Sequence, residues 1–224
     1  MKPLSIPGTR TNGWIVLIGG GEFSFGETRE IDQYILARVP SDRRSVAFLP
    51  TASGSVEYGL HFGNYLRTLE PGLEVVNVPV YRLRDGRRGK NLATIREAGL
   101  IYIGGGVIEN LLGVLNGSPV VEALHEALQT NAVVAGIGAG ASALGGWTAG
   151  ESGGALEALG LVPECAVVAG FNPADDSSLR RLMSLPDVAL GIGVPPVAAL
   201  AIGPDRMGEI VGDEPVAVMR RSSQ

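Results

Sequence analysis

Short runs of consecutive apolar residues alternate along this chain with segments whose apolar positions recur every three or four residues. Trp14–Ile18 is one such run. It ends at Gly19-Gly20-Gly21 and reads as a buried strand entering a loop. Residues 28–39 place Ile31, Ile35 and Leu36 on one helical face. Ser45–Leu49 predicts a second strand, ending at Pro50-Thr51-Ala52-Ser53, with a helix following to Glu70. Further strands are predicted over 74–78, Leu100–Ile103 and 132–135, and helices over 91–98, 107–115, 120–129 and 139–145.

Continuous apolar strands alternating with helices predict a mostly parallel sheet covered on both faces, a three-layer α/β/α arrangement. The last third changes character. A helix is predicted over 177–185, then short strands over 197–202, 207–211 and 216–219 joined by turns, as an antiparallel meander or sheet edge. No internal repeat or linker breaks the pattern, so the expectation is one domain over 1–224, with 1–12 flexible and 205–224 an antiparallel extension and tail. In such folds the ligand crevice lies beyond the carboxyl ends of the parallel strands. The loops of interest are therefore 19–26, 50–55, 104–109 and 136–141.

Composition narrows the class. The chain is 45% hydrophobic and 18% charged over 224 residues, which supports a substantial core and excludes a disordered segment. Its 33 glycines cluster at predicted strand ends, as tight turns and close backbone approaches require. The net charge is −5, and the basic stretch 82–90 is a poor nucleic-acid footprint that reads as a solvated loop. A single cysteine, Cys165, cannot form an intrachain disulfide and fits a reducing compartment. The first residues lack the apolar stretch of a secretory signal, and the longest nearly apolar run, 188–203, carries Pro195-Pro196 and is too short to span a bilayer. The expected protein is cytoplasmic, without nucleic-acid or membrane partners. Self-association into a homo-oligomer is left open.

The chemistry concentrates at 132–141, which reads as a strand, a sharp turn and a helix. That is the setting of a nucleophile elbow. Its apex is Gly138, which has no side chain. Four stretches occur in order with it: Ile18-Gly19-Gly20-Gly21-Glu22, Leu49-Pro50-Thr51-Ala52-Ser53, Ile103-Gly104-Gly105-Gly106 and Gly136-Ile137-Gly138-Ala139-Gly140-Ala141. Leu179-Arg180-Arg181-Leu182 and Leu190-Gly191-Ile192-Gly193-Val194 follow. The ordered set resembles the dipeptidase E and cyanophycinase family of serine peptidases. The resemblance implies a class I glutamine amidotransferase-like, flavodoxin-like fold. The family elbow reads Gly-x-Ser-Ala-Gly-Ala, so Gly138 stands at the serine position. Counting back from Arg181-Leu182 places Asn172 near the family histidine, and no histidine follows His125.

A serine hydroxyl is a poor nucleophile until a base within hydrogen-bond reach takes its proton. Missing both groups, the chain is expected to have lost peptidase activity. The backbone donors of the site need no side chain, so amides at Gly105, Gly106 and Ala139 are candidates for an oxyanion-hole-like nest. With Gly20, Gly21, Thr51, Ser53 and Glu109 they form the predicted ligand-binding set, for a small peptide or acidic amino-acid derivative. Each has a plainer reading: Glu109 as a helix-start charge, Thr51 and Ser53 as helix caps.

Two residues are candidate substitutes for catalysis. Ser142 lies one helical turn past Gly138, and His61 offers a base, so an active hydrolase with a relocated nucleophile is the first alternative. Packing roles are the simpler reading of both. Gly136–Ala141 also matches a Gly-x-Gly-x-x-Ala dinucleotide loop, although it falls late in the chain and no acidic strand end follows for a ribose. A nucleotide binder or a scaffold is thus the remaining alternative. Histidine and cysteine spacing gives no support for a metal site, and no cofactor is expected.

Overall fold

Alternation within the apolar runs decides which face each strand residue covers. The computed structural model describes residues 4–8 and 10–221. Residues 1–3 and 9, from the start expected to be flexible, and 222–224, from the expected extension and tail, lie outside the described residues. The strands are β1 (Leu4–Ser5), β2 (Trp14–Ile18), β3 (Ser45–Leu49), β4 (Glu74–Asn77), β5 (Leu100–Ile103), β6 (Val133–Ile137), β7 (Gly145–Ala149), β8 (Ala155–Glu157), β9 (Val162–Ala169), β10 (Leu190–Val194), β11 (Ala199–Ile202), β12 (Met207–Val211) and β13 (Ala217–Arg220). The helices are α1 (Arg29–Leu36), α2 (Val56–Leu69), α3 (Gly89–Glu97), α4 (Ile108–Leu115), α5 (Pro119–Gln129), α6 (Ala139–Ala143) and α7 (Ser177–Met183).

An eight-stranded sheet has the order β1-β12-β11-β2-β6-β5-β3-β4. Pairing is parallel from β2 through β4 and antiparallel from β1 through β11 to β2. Ile15, Leu17, Leu49, Ile101 and Val134 cover one face and pack with α3–α6. Val16, Ile18, Phe48, Tyr102 and Ala135 cover the other and pack with Ile31 and Ile35 of α1 and Phe62 and Leu66 of α2. Because both faces are covered, each strand reads as a continuous apolar run rather than an alternating one. The mixed α/β architecture with a mainly parallel central sheet agrees with the sequence reading.

Three corrections concern the ends and the last third. The start is not loose over 4–6: Leu4–Ser5 pairs with Met207 and Gly208, and Ile6 is fully buried. The expected C-terminal meander is split. β11 and β12 form a hairpin on the edge of the large sheet, whereas β13 crosses to pair with β10. That second sheet, ordered β13-β10-β9-β7-β8, was not foreseen. Its β7 begins Gly145-Gly146 and its β9 carries Pro163, which mask the strand pattern. One face packs through Cys165, Val167 and Ile192 on the main core, and the other through Ala166 on Leu179 and Leu182 of α7.

Candidate functional site

The parallel strands end together, and the elbow forms where β6 leaves the sheet. Gly138 has φ 55° and ψ −117°, and α6 starts at the next residue. Its N–H donates to the Ile18 carbonyl (3.0 Å), and its carbonyl accepts from Ser142 N–H (3.0 Å), so the apex is fixed on both sides. Strand and helix cross too closely for side chains on either flank. A Cβ on Gly136 would lie 2.4 Å from Gly140 backbone, and one on Gly140 2.2 Å from the Ile103 carbonyl oxygen. At Gly138 the reverse holds. A Cβ there would meet nothing closer than the Gly105 Cα, at 3.9 Å. The apex keeps a backbone conformation costly for any other residue, with room for a Cβ beside it.

Adjacent loops close around this space. Gly104 N–H donates to the Leu49 carbonyl (3.0 Å) and Val107 N–H to the Ala52 carbonyl (3.1 Å), which locks the 104–107 loop to the 50–53 loop. Gly106 approaches Ala52 so closely that a Cβ would lie 2.4 Å from backbone carbon. Gly105 faces the apex, and the Tyr58 hydroxyl engages its backbone. Burial pushes the Tyr58 phenol above its ordinary value, with the Gly105 hydrogen bond pulling the other way. Thr51 is buried, and its Oγ1 has no hydrogen-bond partner. Ala139, half-buried, opens α6. Gly20 lies across the crevice, where its carbonyl accepts from Val197 N–H (3.0 Å), and Gly21 packs against Thr28.

Several predicted site residues are engaged elsewhere. Ser53 Oγ donates to the Pro50 carbonyl (3.1 Å) and accepts from Ser55 N–H (3.2 Å), so it shapes its own turn. The cap of α2 is instead Ser55, which accepts from Tyr58 N–H (3.3 Å). Glu109 does not turn toward the elbow: its Oε1 accepts from Glu151 N–H (2.7 Å) at the β7–β8 turn. Ser142 is buried, and its Oγ accepts from Ala169 N–H (3.0 Å), which ties α6 to β9. It sits on the α3–α6 side of the large sheet, whereas His61 is exposed on α2, on the opposite side. The structure therefore does not bring Ser142 and His61 together. Asn172 is exposed after β9 and accepts from Ala174 N–H (3.0 Å) in a local turn. It lines a cleft of about 590 Å³ with Phe171, Pro195 and Val197.

The dinucleotide reading fits this geometry poorly. α6 spans five residues and runs directly into β7, so little helix dipole is available for a diphosphate. Among the described residues, no group of three or more His, Cys, Asp or Glu is placed to hold a metal ion. No helix there is long and apolar enough to cross a membrane.

One polar centre escaped the sequence reading. Asp32, 1% exposed, accepts from Thr28 Oγ1 (2.7 Å) and Tyr65 Oη (2.9 Å) on one carboxylate oxygen. The other oxygen and the Tyr102 hydroxyl are both buried without a partner. Burial raises the carboxyl to about 6 from an ordinary 3.8, against the opposing pull of the Thr28 and Tyr65 hydroxyls. The available signal was Asp32 falling beside Ile31 and Ile35 on the apolar stripe of α1, where a carboxylate has no place on a solvated face.

Comparison with known proteins agrees with the mixed α/β fold. The profile of Peptidase family S51 matches residues 15–183. The uncharacterized peptidase YgaJ of Bacillus subtilis is 33% identical over 130 residues, which cover 57% of this chain and 54% of YgaJ; the match thus spans little more than half of that relative. A cyanophycinase of Trichormus variabilis is 27% identical over 220 residues, 92% of this chain and 67% of that protein. A crystal structure of a peptidase from an acI-B1 Actinobacterium superposes with a TM-score of 0.75 over 96% of both chains at 22% identity. A putative peptidase E from Listeria monocytogenes gives 0.58 over 94% of this chain and 99% of that one at 16% identity. At such identities the two structures speak for the fold.

Proposed function

The chain belongs to peptidase family S51, and from the bare apex of its elbow we propose that it is a member whose nucleophile position is taken by Gly138 and whose ordinary serine peptidase chemistry is lost. The crevice then serves to bind a small peptide or acidic amino-acid derivative without cutting it. The observation that carries this reading is the apex itself: elbow backbone at φ 55°, flanking glycines that sterics require, and an open space where a side chain would project.

Two further observations support it. The hydroxyl weighed as a substitute nucleophile, Ser142, is committed to Ala169 N–H, and Asn172, which falls near the place of the family histidine, makes a local turn. Neither can supply a proton-transfer pair at the apex. Backbone amides around the apex other than that of Gly105, which the Tyr58 hydroxyl engages, remain suited to carboxylate oxygens, which need donors rather than a nucleophile.

The test is amine release from acidic dipeptides and from cyanophycin, paired with calorimetric titration of the same dipeptides. The expected result is no turnover, saturable binding, and loss of that binding in Gly138→Phe, whose ring would occupy the open space. Turnover by the purified chain would overturn the loss of chemistry. Absence of binding across the panel would overturn the ligand role.

A further inference from the structure

A second cavity, of about 610 Å³, lies between the 22–24 loop and α2, on the α1–α2 side of the sheet. Tyr58, His61, Tyr65 and Thr68 line it from one stripe of α2, at spacings of three, four and three residues. Phe23 lines it from the loop, stacked on Tyr58 (centroids 6.0 Å, 17°) and tilted against Tyr65 (5.3 Å). Phe48 holds Tyr58 edge-on from below at 5.1 Å. The aromatic wall is thus fixed by packing before any ligand arrives.

Apart from the imidazole of His61 and the two phenols on the α2 wall, the ionisable groups at the cavity are carboxylates. Glu22 is on the rim, where its Oε1 accepts from Ser24 N–H (3.2 Å) and Oγ (2.9 Å). Behind the wall, Tyr65 Oη donates to the buried Asp32 carboxylate (2.9 Å), which is in no salt bridge among the described residues and has one oxygen without a partner. No lysine or arginine lines the cavity; Arg29 acts on Tyr65 electrostatically from the exposed start of α1. Ring faces are the negative side of an aromatic quadrupole, and a phenol that donates to a carboxylate carries still more negative charge on its ring.

We propose that this cavity is a binding site for a small organic cation of the alkylammonium class, held against the aromatic wall that Phe23, Tyr58 and Tyr65 build and balanced by Glu22 and by Asp32 acting through Tyr65. The cavity adjoins the elbow crevice through Tyr58, whose hydroxyl engages Gly105, but its lining includes neither Gly138 nor the other elbow glycines, so it stands whether or not the elbow binds a peptide. An acidic ligand is excluded from it by the two carboxylates. A neutral ligand of the same shape gains the burial but not the charge attraction.

The experiment uses the full chain at pH 8, where Asp32 is ionised, and two probes of one shape. Choline and its uncharged isostere 3,3-dimethylbutan-1-ol are titrated by calorimetry, with Tyr ring resonances followed by NMR. Choline is expected to bind about tenfold more tightly than the alcohol. Asp32→Asn and Phe23→Ala should each weaken choline several-fold, whereas Asp32→Asn should leave the alcohol unchanged. If Phe23→Ala does not fold, Asp32→Asn carries the test alone, because it keeps the size of the side chain and removes only its charge. Equal affinity for the two probes, no choline binding, or choline binding indifferent to Asp32→Asn would each overturn the proposal.

Discussion

Gly138 and Gly105 face each other across the end of the sheet with room between them: a Cβ added at Gly138 would stand 3.9 Å from the Gly105 Cα. Contact at that distance is ordinary packing, so what restrains this position is its backbone and not its surroundings.

Gly138→Ser therefore separates sterics from chemistry. The variant is expected to fold and to lose about 1–3 kcal/mol of stability, the usual cost of a non-glycine residue held in a sparsely populated φ/ψ region. It restores a hydroxyl but no base, since His61 lies across the sheet and Asn172 cannot take a proton. Urea denaturation should show the stability change, and amine-release assays on acidic dipeptides should stay at background. Appreciable turnover would mean that a base at the apex had been overlooked.

The flanking glycines make the contrast. Gly136→Ala would drive a methyl to 2.4 Å from Gly140 backbone, and Gly140→Ala to 2.2 Å from the Ile103 carbonyl oxygen. Backbone cannot swing aside as a flexible side chain does. Each variant is expected to lose more than about 4 kcal/mol, in the range reserved for severe overpacking and strain, and to be recovered mainly as aggregate. A soluble Gly136→Ala with a near-native urea midpoint would show that the elbow is looser than described.

How far the sequence could carry this picture depended on where the signal was local. Trp14–Ile18, Ser45–Leu49 and Leu100–Ile103 were legible to the residue because both faces of those strands are buried and no polar position interrupts them. The elbow was legible because three glycines serve three distinct backbone constraints within five residues. The second sheet was not. Its β8, β9 and β13 are partly exposed, its β7 and β9 carry Gly145, Gly146 and Pro163, and it is brought together by parallel pairing between residues far apart in the chain, such as Cys165 with Leu190. Side-chain commitments were equally hidden. Nothing near Ser142 or Glu109 in sequence announces Ala169 or Glu151, whose backbone N–H groups engage them. Asp32 was legible only in three dimensions, because Tyr65, which donates to it, comes from a different helix.

Ser142→Ala tests one of those commitments. Removing the hydroxyl leaves Ala169 N–H, at the half-buried end of β9, without its acceptor. The expected cost is about 1–2 kcal/mol, the range for a lost hydrogen bond whose partner stays partly desolvated. The effect should appear in denaturant midpoints with the m-value unchanged, and titration of crevice ligands should match wild type. A large loss of ligand affinity without loss of stability would instead return Ser142 to the site.

Asp32 makes stability depend on pH in a direction opposite to that of a salt-bridged carboxylate. Its folded-state value, raised by burial to about 6, lies above the ordinary 3.8 of the unfolded chain. Between these values the folded protein holds a proton that the unfolded chain has released. This group's contribution is therefore fully present below pH 3.8, declines as pH rises, and is gone above about pH 6. The difference corresponds to a cost on the order of 3 kcal/mol at neutral pH relative to the protonated carboxyl. Asp32→Asn removes the titration while keeping an acceptor for Thr28 and Tyr65, and its amide can donate to the unpartnered Tyr102 hydroxyl. The variant is expected to be more stable than wild type at pH 8 by about 1–3 kcal/mol, less than the full ionisation cost because an amide fits a carboxylate site imperfectly. Near pH 4 the advantage should vanish. Urea midpoints of the two proteins across pH 4–8 decide the matter. A constant difference at every pH would show that Asp32 does not titrate in this interval.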